Sequence, residues 1–212
     1  MNRLSKQAAV VLALVLAAAP AARAADVYDL DQTHFSIVFS VSHMNMSYTY
    51  GMFRQANAQV VLDRENPANT QFRVTIKADS IDTNNQGRDT HLKSPDFFDT
   101  ASFPEITFAS TAVVLDTRPD QPGINYQVTG DLTMHGVTRQ VVLPIRLLGE
   151  GPSLDGKPHA GFLTQTELKR SEFGVGGGRF ADSNLVGDAI AITVSFEAIK
   201  QDAAAAPPPQ QR

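Results

Sequence analysis

The chain has 212 residues, of which 22 are acidic and 18 are basic, and its formal net charge is −4. It contains no basic stripe with interleaved aromatic residues and no polybasic segment, so its composition argues against binding to nucleic acid or to an anionic membrane surface. It also has no cysteine, which excludes disulfides and a thiol nucleophile.

The first 24 residues are typical of a signal peptide. Two basic residues come first, an unbroken apolar run covers residues 8–19, and Ala22-Arg23-Ala24 fits the small-x-small cleavage rule. The apolar run is shorter than the roughly 20 residues that a spanning helix needs, which favours cleavage before Ala25 over a retained anchor. Cleavage leaves 15 of the 18 basic residues against 22 acidic ones, a net charge of −7. We therefore expect a periplasmic protein without an integral membrane span.

Alternation of apolar and polar residues with a period of two dominates the mature chain and predicts half-buried strands. We expect one domain over residues 25–201, followed by a disordered Ala- and Pro-rich tail over residues 202–212. The predicted strands follow one another over residues 34–42, 48–62 with a bend at Gly51, 72–78, 106–114, 124–134, 137–147, 162–168 and 190–198.

A short helix is predicted between the third and fourth strands. Thr83 and Gln86 have the spacing of a capping box, which places the helix start near residue 84. Pro95 disfavours helical angles at the preceding residue and so ends the helix at Ser94. Within the helix, Asp89 and Lys93 are spaced to pair across one turn.

The residues after this helix carry two adjacent aromatic side chains. Ser94-Pro95 suits the start of a second helical turn, on which Phe97 and Phe98 lie. Both rings cannot be buried behind so small an element. We therefore expect at least one of them to plug a hollow, such as the end of a barrel.

Eight strands with short turns and one helical insertion favour an antiparallel meander over alternating β-α units. Closing the meander removes its exposed edges, and an eight-stranded barrel is either filled by side chains or holds one small ligand. Four small residues in strand interiors, Ser110, Gly130, Thr164 and Thr166, favour a hollow barrel over a filled one. The predicted fold class is thus all-β, an eight-stranded antiparallel β-barrel with a short helical insertion between strands.

No pattern of residues predicts catalysis, a metal or a cofactor. The five histidines include no H-x-H or H-x-x-x-H pair, so ordinary hydrogen-bonded or surface histidines are expected. The glycine-rich run at 174–178 lacks the Lys-Ser/Thr pair of a P-loop and is interpreted as a loop at a barrel end, where Arg170 and Arg179 flank it and an anion could bind. There is no G-x-S-x-G elbow and no carboxylate pair within an apolar run.

Seven motifs, taken together, resemble the YceI-like family of exported, lipocalin-like proteins known as polyisoprenoid binders. The motifs are Asp31-x-Thr33-His34-x-Ser36, Gly51-x-Phe53, SIDT at 80–83, RDTHLKSPDFFDTASFPEITF at 88–108, GDLTMHGVTRQVVLP at 130–144, KRSEFGVG at 169–176 and Val186-Gly187-Asp188. The resemblance implies a lipocalin-like β-barrel with a long apolar tunnel that holds an isoprenoid chain or a similar amphiphile.

Strand alternation selects the candidate lipid-binding residues of such a tunnel, with plain core packing as the alternative for each. They are Phe35, Ile37, Phe39, Ile76, Phe108, Val128, Leu132, Phe162, Ile192 and Val194 in the strands, and Phe97 and Phe98 as a lid or end-plug. The candidates for contact with a polar or anionic head group are His43, Arg88 and Arg170.

We therefore expect a periplasmic carrier for an isoprenoid lipid of the quinone or polyprenyl phosphate class. We expect no enzymatic activity, no catalytic residue, no metal and no cofactor, and a homodimer is possible. The alternative is a filled barrel that serves as a stress-response or interaction module and has no physiological lipid.

Overall fold

The computed structural model describes residues 25–118, 123–154, 156–180 and 185–202, and for Arg179 the backbone only. The predicted signal peptide lies outside the described residues, as do residues 203–212 of the predicted tail and most of the predicted turn at 119–123. The described chain forms one helix, α1 at Gln86–Lys93, and ten strands: β1 Asp26–His43, β2 Ser47–Phe53, β3 Ala56–Leu62, β4 Gln71–Lys77, β5 Ile81–Asp82, β6 Glu105–Asp116, β7 Ile124–Met134, β8 Val137–Pro152, β9 Pro158–Lys169 and β10 Val186–Lys200.

These segments form a closed antiparallel barrel of eight strands. The hydrogen-bonded order is β10-β9-β8-β7-β6-β4-β3-β1-β2-β5, and pairing of β10 with β1 closes the circuit. β2 and β3 pair with the two halves of the long β1, while β5 pairs with β2 and β4 with β3. β2 and β3 are therefore the two halves of one barrel strand, and β4 and β5 are the two halves of the next, each with a break in the middle. The predicted fold class is confirmed.

The break between β2 and β3 corrects the predicted bend at Gly51. The chain leaves the ladder at Arg54 and Gln55, whose backbone N–H groups donate to Ser80 O at 3.1 Å and Ser80 Oγ at 3.1 Å. Gly51 lies within β2, where a Cβ would come 2.4 Å from Cζ of Phe39. This glycine thus provides space for an aromatic ring and does not turn the chain.

A bulge in β6 corrects the predicted alternation of that strand. The register with β7 shifts between Ser110 and Ala112, so one extra residue stands in β6. One extra residue moves every later side chain to the opposite face. Val113 is consequently buried at 3% exposure and Val114 is 58% exposed, whereas unbroken alternation from Ile106 and Phe108 predicts that Val114 faces inward.

The connection between β8 and β9 is shorter than its composition indicates. Glycines and prolines over residues 149–158 are typical of a loop, but β8 continues to Pro152 and β9 begins at Pro158. A tight turn at His135-Gly136 joins β7 to β8, and both residues have positive φ, 52° and 73°, as in a type I′ hairpin turn.

The start of α1 differs from the predicted capping box. Asn85 is the N-cap, and its side chain accepts a hydrogen bond from Arg88 N at 2.9 Å. Thr83 instead donates from its backbone N and Oγ1 to Asp89 Oδ1, at 2.9 and 2.5 Å, so Asp89 bonds to Thr83 and not to Lys93. The left-handed backbone of Asn84, φ 59°, moves the helix start along the chain.

The end of α1 matches the prediction, whereas the second helical turn does not form. Ser94 is the C-cap, and its backbone N–H donates to His91 O. Its hydroxyl accepts from Asp96 N at 3.3 Å, but residues 95–98 form a turn and not a helix. Across the described part of the chain, α1 and the shorter helical turns all lack the length and apolar composition needed to cross a membrane.

Buried side chains pack one end of the barrel. The ring of Phe162 meets that of Phe72 edge-on and stacks on that of Phe196, with centroids 5.8 and 5.1 Å apart. Val60, Leu62 and Val128, each at most 1% exposed, lie around these rings. We call the three rings and the buried hydrophobic residues packed with them the closed-end cluster. The hollow part of the barrel must therefore lie towards the other end.

Candidate functional site

An internal cavity of about 220 Å³ lies between the closed-end cluster and the helical insertion. Residues of all eight barrel strands line it, and the wall that the described residues build exposes apolar atoms only. The polar residues of this wall, among them Thr164, Thr166 and Arg170, turn only apolar atoms towards the cavity. Such a wall can hold an apolar chain, which the hydrophobic effect moves out of water.

Residues 83–104, which we call the lid segment, cover the cavity where the sheet is incomplete. β5 has two residues and pairs with β2, while β6 pairs with β4, so β5 and β6 leave an opening between them. From the lid segment, Leu92, Phe97 and Phe98 line the cavity. The ring of Phe98 meets that of Phe53 edge-on, with centroids 5.8 Å apart.

A second cover consists of the chain that follows β9. Phe173 is fully buried and Val175 is 5% exposed, and both pack with Phe97 and Phe180. The rings of Phe97 and Phe180 have centroids 4.9 Å apart, and the ring of His91 lies edge-on to both. Phe97 therefore joins the lid segment to this second cover.

Arg170 holds the second cover in place. Its side chain donates five hydrogen bonds, all to backbone carbonyls: Nε to Gly187 at 2.9 Å, Nη1 to Val175 at 3.0 Å and Gly176 at 2.6 Å, and Nη2 to Phe180 at 2.6 Å and Val186 at 3.0 Å. A guanidinium has five N–H donors, so every one has a partner. Arg170 is 6% exposed, and its N–H groups are already occupied by the protein itself.

Nine of the twelve predicted lipid-binding residues line the cavity: Ile37, Phe39, Ile76, Phe97, Phe98, Phe108, Leu132, Ile192 and Val194. Contact between these residues and a ligand stays a prediction. Phe35, Val128 and Phe162 do not line it. Val128 and Phe162 are fully buried within the closed-end cluster, and Phe35 packs against this cluster. Alternation identified their inward face correctly, but it contains no information on height along the barrel axis.

The three predicted head-group residues lie apart from one another. Of these, only Arg170 lines the cavity. His43 is exposed at the end of β1, and Arg88 is exposed on α1, where Nε and Nη2 donate to Oγ1 and O of Thr83, both at 2.7 Å. The structure does not bring the three together into one anion site.

Several lining residues were not predicted. Val41, Phe53, Met134, Leu168 and Ile190 belong to the inner faces of predicted strands, so the same alternation could have selected them. Leu92 and Val175 come from the two covers, for which periodicity gives no signal. Thr164 and Thr166, predicted as small inward residues, do line the cavity.

Among the described residues, one group able to hold a metal ion lies outside the cavity. Asp31, His34 and Glu197 each present one ligand atom, and these three atoms lie within 4.8 Å of one another. They belong to the outer face of the barrel, because Glu197 alternates with the inward residues Phe196 and Ala198. Spacing along the chain does not reveal this group.

The fold and the cavity define a class of protein, the closed antiparallel lipocalin-like barrel with an apolar interior. Within this class the chain belongs to the YceI-like family, whose domain model matches residues 28–198. Protein YceI of Escherichia coli O17:K52:H18 is 35% identical over 191 residues, which cover 89% of this chain and 94% of the relative. A UPF0312 protein of Photorhabdus laumondii is 40% identical over 161 residues, 76% of this chain and 81% of the relative.

Solved structures share the fold. Burkholderia cenocepacia BcnA is 26% identical with a TM-score of 0.70, over 79% of this chain and 98% of that one. A polyisoprenoid binding domain from Saccharophagus degradans, implicated in plant cell wall breakdown, has a TM-score of 0.61 at 15% identity, over 82% of this chain and 98% of that one. The second likeness concerns the fold alone.

Proposed function

We propose that this chain is a periplasmic binding or carrier protein, which holds an isoprenoid lipid or a similar long-chain amphiphile in the barrel. The observation that carries the proposal is the enclosed cavity whose wall exposes apolar atoms only. The polyisoprenoid binding domain with the same fold supports this class of ligand. The signal-peptide pattern of the first 24 residues supports the periplasmic location.

The hydrophobic effect supplies the affinity. Burial of each CH₂ group contributes about 0.8 kcal/mol, so ten buried groups contribute roughly 8 kcal/mol before the costs of binding are subtracted. The cavity of about 220 Å³ is smaller than the roughly 300–1,000 Å³ of typical ligand pockets. A long chain therefore enters only when side chains of the two covers move aside, and its polar end stays outside the apolar wall.

The absence of polar atoms from the described cavity wall favours binding over catalysis. A nucleophile or general base needs a polar atom that reaches the ligand, and the described residues of the wall expose only apolar atoms to the cavity. Quinone and polyprenyl phosphate lipids are suitable ligands, since each joins a long apolar chain to a polar end. A homodimer remains a prediction from the sequence.

A filled barrel without a lipid ligand is the second candidate. The closed-end cluster favours it, because Phe72, Phe162 and Phe196 pack against one another across one end of the barrel. The protein would then act through its outer surface as a stress-response or interaction module. The two candidates differ in whether the remaining cavity takes up a lipid.

A charge placed in the cavity wall tests the proposal. Ile192→Arg puts a guanidinium into the apolar wall, where an unpaired charge is strongly unfavourable. We expect the folded variant to lose uptake of a fluorescent quinone by at least tenfold. Ala191→Arg, at the exposed neighbouring position of β10, is the control and should bind as the unmodified chain does. Equal uptake by the two folded variants would contradict the proposal.

A further inference from the structure

A bulge in β1 brings together side chains that the cavity does not use. β1 and β10 are paired at Leu30–Ala198 and again at Phe35–Phe196, so residues 31–34 stand out of the ladder. The bulge lies on the seam where the barrel closes. It holds Asp31 and His34 of the Asp31-x-Thr33-His34-x-Ser36 motif, to which the proposed lipid site gives no role.

Three potential ligands meet at this bulge, and a fourth, His159, lies close to one of them. Asp31 Oδ2 lies 2.7 Å from His34 Nδ1 and 3.8 Å from His159 Nε2. Asp31, His34 and Glu197 present ligand atoms within 4.8 Å of one another. Adjacent ligands of a tetrahedral ion with bonds of about 2.0–2.1 Å are roughly 3.3 Å apart, so the observed distances lie on either side of this value.

His159 presents a ring nitrogen to the same bulge. The residue is 9% exposed, and its Nδ1 lies 2.9 Å from Lys157 O. Because a carbonyl only accepts, Nδ1 carries the proton in the neutral ring and the lone pair is on Nε2. Nε2 faces the carboxylate of Asp31, an acceptor, at 3.8 Å. Two acceptors that face each other at this distance fit a cation between them.

The surrounding hydrogen bonds orient the ligands as the outer shell of a metal site does. A histidine ligand commonly donates its other ring N–H to a backbone carbonyl, as His159 does to Lys157. Oδ1 of Asp31 accepts from N and Oγ1 of Thr33, at 2.8 and 2.7 Å, and Oδ2 lies 2.7 Å from His34 Nδ1, so both carboxylate oxygens are held in place.

We propose that Asp31, His34, His159 and Glu197 form a binding site for a divalent transition-metal ion of the Zn²⁺ class on the outer face of the barrel. Two imidazoles and two carboxylates suit Zn²⁺, which takes four N, O or S ligands in tetrahedral geometry. An exposed groove beside the site, lined by His34, Glu197 and Gly161, gives the ion a path from solvent.

The site would connect three strands at the seam. Asp31 and His34 belong to β1, His159 to β9 and Glu197 to β10. An ion bound only by the folded chain stabilises it by mass action, so the melting temperature rises with ion concentration. The ion thus strengthens the barrel where the β1–β10 ladder is interrupted, and the lipid site on the inner face is not involved.

Titration of the tag-free mature chain with Zn²⁺ tests the site. Calorimetry should give one ion per chain, and His34→Gln, a change at an exposed position, should weaken binding at least tenfold. His159→Gln should do the same and should also remove the rise in melting temperature. His91→Gln is the control, since this histidine pairs with Asp96 on the lid segment and should leave the Zn²⁺ affinity unchanged.

Two results would overturn the proposal. One is no saturable Zn²⁺ binding by the unmodified chain. The other is equal affinity in the unmodified chain and in folded His34→Gln, which would show that Zn²⁺ binds elsewhere on the surface. If His159→Gln does not fold, His34→Gln still decides between the outcomes. After either of the two overturning results, Asp31 and His159 would form only a histidine–carboxylate pair.

Discussion

At the scale of single residues, Arg170 shows how far a buried side chain can differ from its sequence interpretation. A basic residue beside a glycine-rich loop suggested an anion site, but the structure surrounds its guanidinium with five backbone carbonyls. No periodicity or motif reveals backbone acceptors contributed by residues 175–187. The charge of Arg170 therefore stabilises the protein's own loop.

Replacement of Arg170 by lysine should destabilise the fold even though the charge is kept. Lysine has three donors on one nitrogen, so at least two of the five carbonyls lose their partner. Each buried group left unsatisfied costs about 1–3 kcal/mol, and we expect a loss of about 2–5 kcal/mol in the free energy of unfolding. Urea denaturation measures this loss.

The matched control is Arg139→Lys. Arg139 is exposed and donates one hydrogen bond from Nε, to Glu172 O at 3.1 Å. Surface substitutions of this kind usually change stability by less than about 0.5 kcal/mol. Similar unfolding midpoints for the two lysine variants would show that the five carbonyl contacts of Arg170 contribute little.

Close packing at single glycines was also not predictable in detail. Gly130 was correctly selected as a small residue inside a strand, but the reason is local: a Cβ there would lie 2.5 Å from Cζ of Phe108 and 2.6 Å from Ala109 O. The glycine makes room for a ring that lines the cavity. A small residue therefore indicated close packing here, although the sequence analysis took it as a sign of empty space.

At the scale of elements, the sequence predicted that the lid segment covers a hollow, but it did not predict where the helix of this segment begins. Pro95 predicted the helix end, and the adjacent rings of Phe97 and Phe98 predicted that they would plug a hollow. Both rings line the cavity. The helix start was missed because Asn84 adopts a left-handed conformation that no capping pattern records.

Truncation of the lid ring should speed ligand exchange. Phe98→Ala removes the edge-on contact with Phe53, and such contacts contribute about 0.5–1.5 kcal/mol beyond their buried area. This energy corresponds to a dissociation rate roughly two- to tenfold faster. Stopped-flow displacement of a bound fluorescent amphiphile measures the rate.

Phe103→Ala is the control for the lid prediction. Phe103 belongs to the same segment, but its ring packs on His135 with centroids 4.9 Å apart and does not line the cavity. This variant should release the amphiphile at the rate of the unmodified chain. An unchanged rate in folded Phe98→Ala would mean that the lid ring does not limit exit.

At the scale of the whole molecule, the barrel was predictable because its strands repeat a period of two and its turns contain glycine, proline and asparagine. Closure was an inference from exposed edges, and the pairing of β1 with β10 confirms it. Which end is filled was not predictable, since alternation separates inner from outer faces and not one end from the other. For that reason Phe35, Val128 and Phe162 were assigned to the tunnel and lie in or against the closed-end cluster.

The meeting of distant residues on the outer face could not be predicted from the sequence either, because strand pairing brings these residues together. Asp31 and His34 are near neighbours in the chain, but His159 and Glu197 reach them only through the pairing of β1, β10 and β9. A bulge of β1 then presents the first two side chains together. Register and bulges, which set such contacts, depend on the assembled sheet.

We propose that the hollow half of the barrel holds a long-chain amphiphile. Mass spectrometry of the organic extract of the protein, purified from its native host, tests this proposal. We expect one long-chain amphiphile in stoichiometric amount, released on extraction and restored when the emptied protein is incubated with it. Repeated absence of any such compound, together with no uptake of quinone in vitro, would contradict the claim.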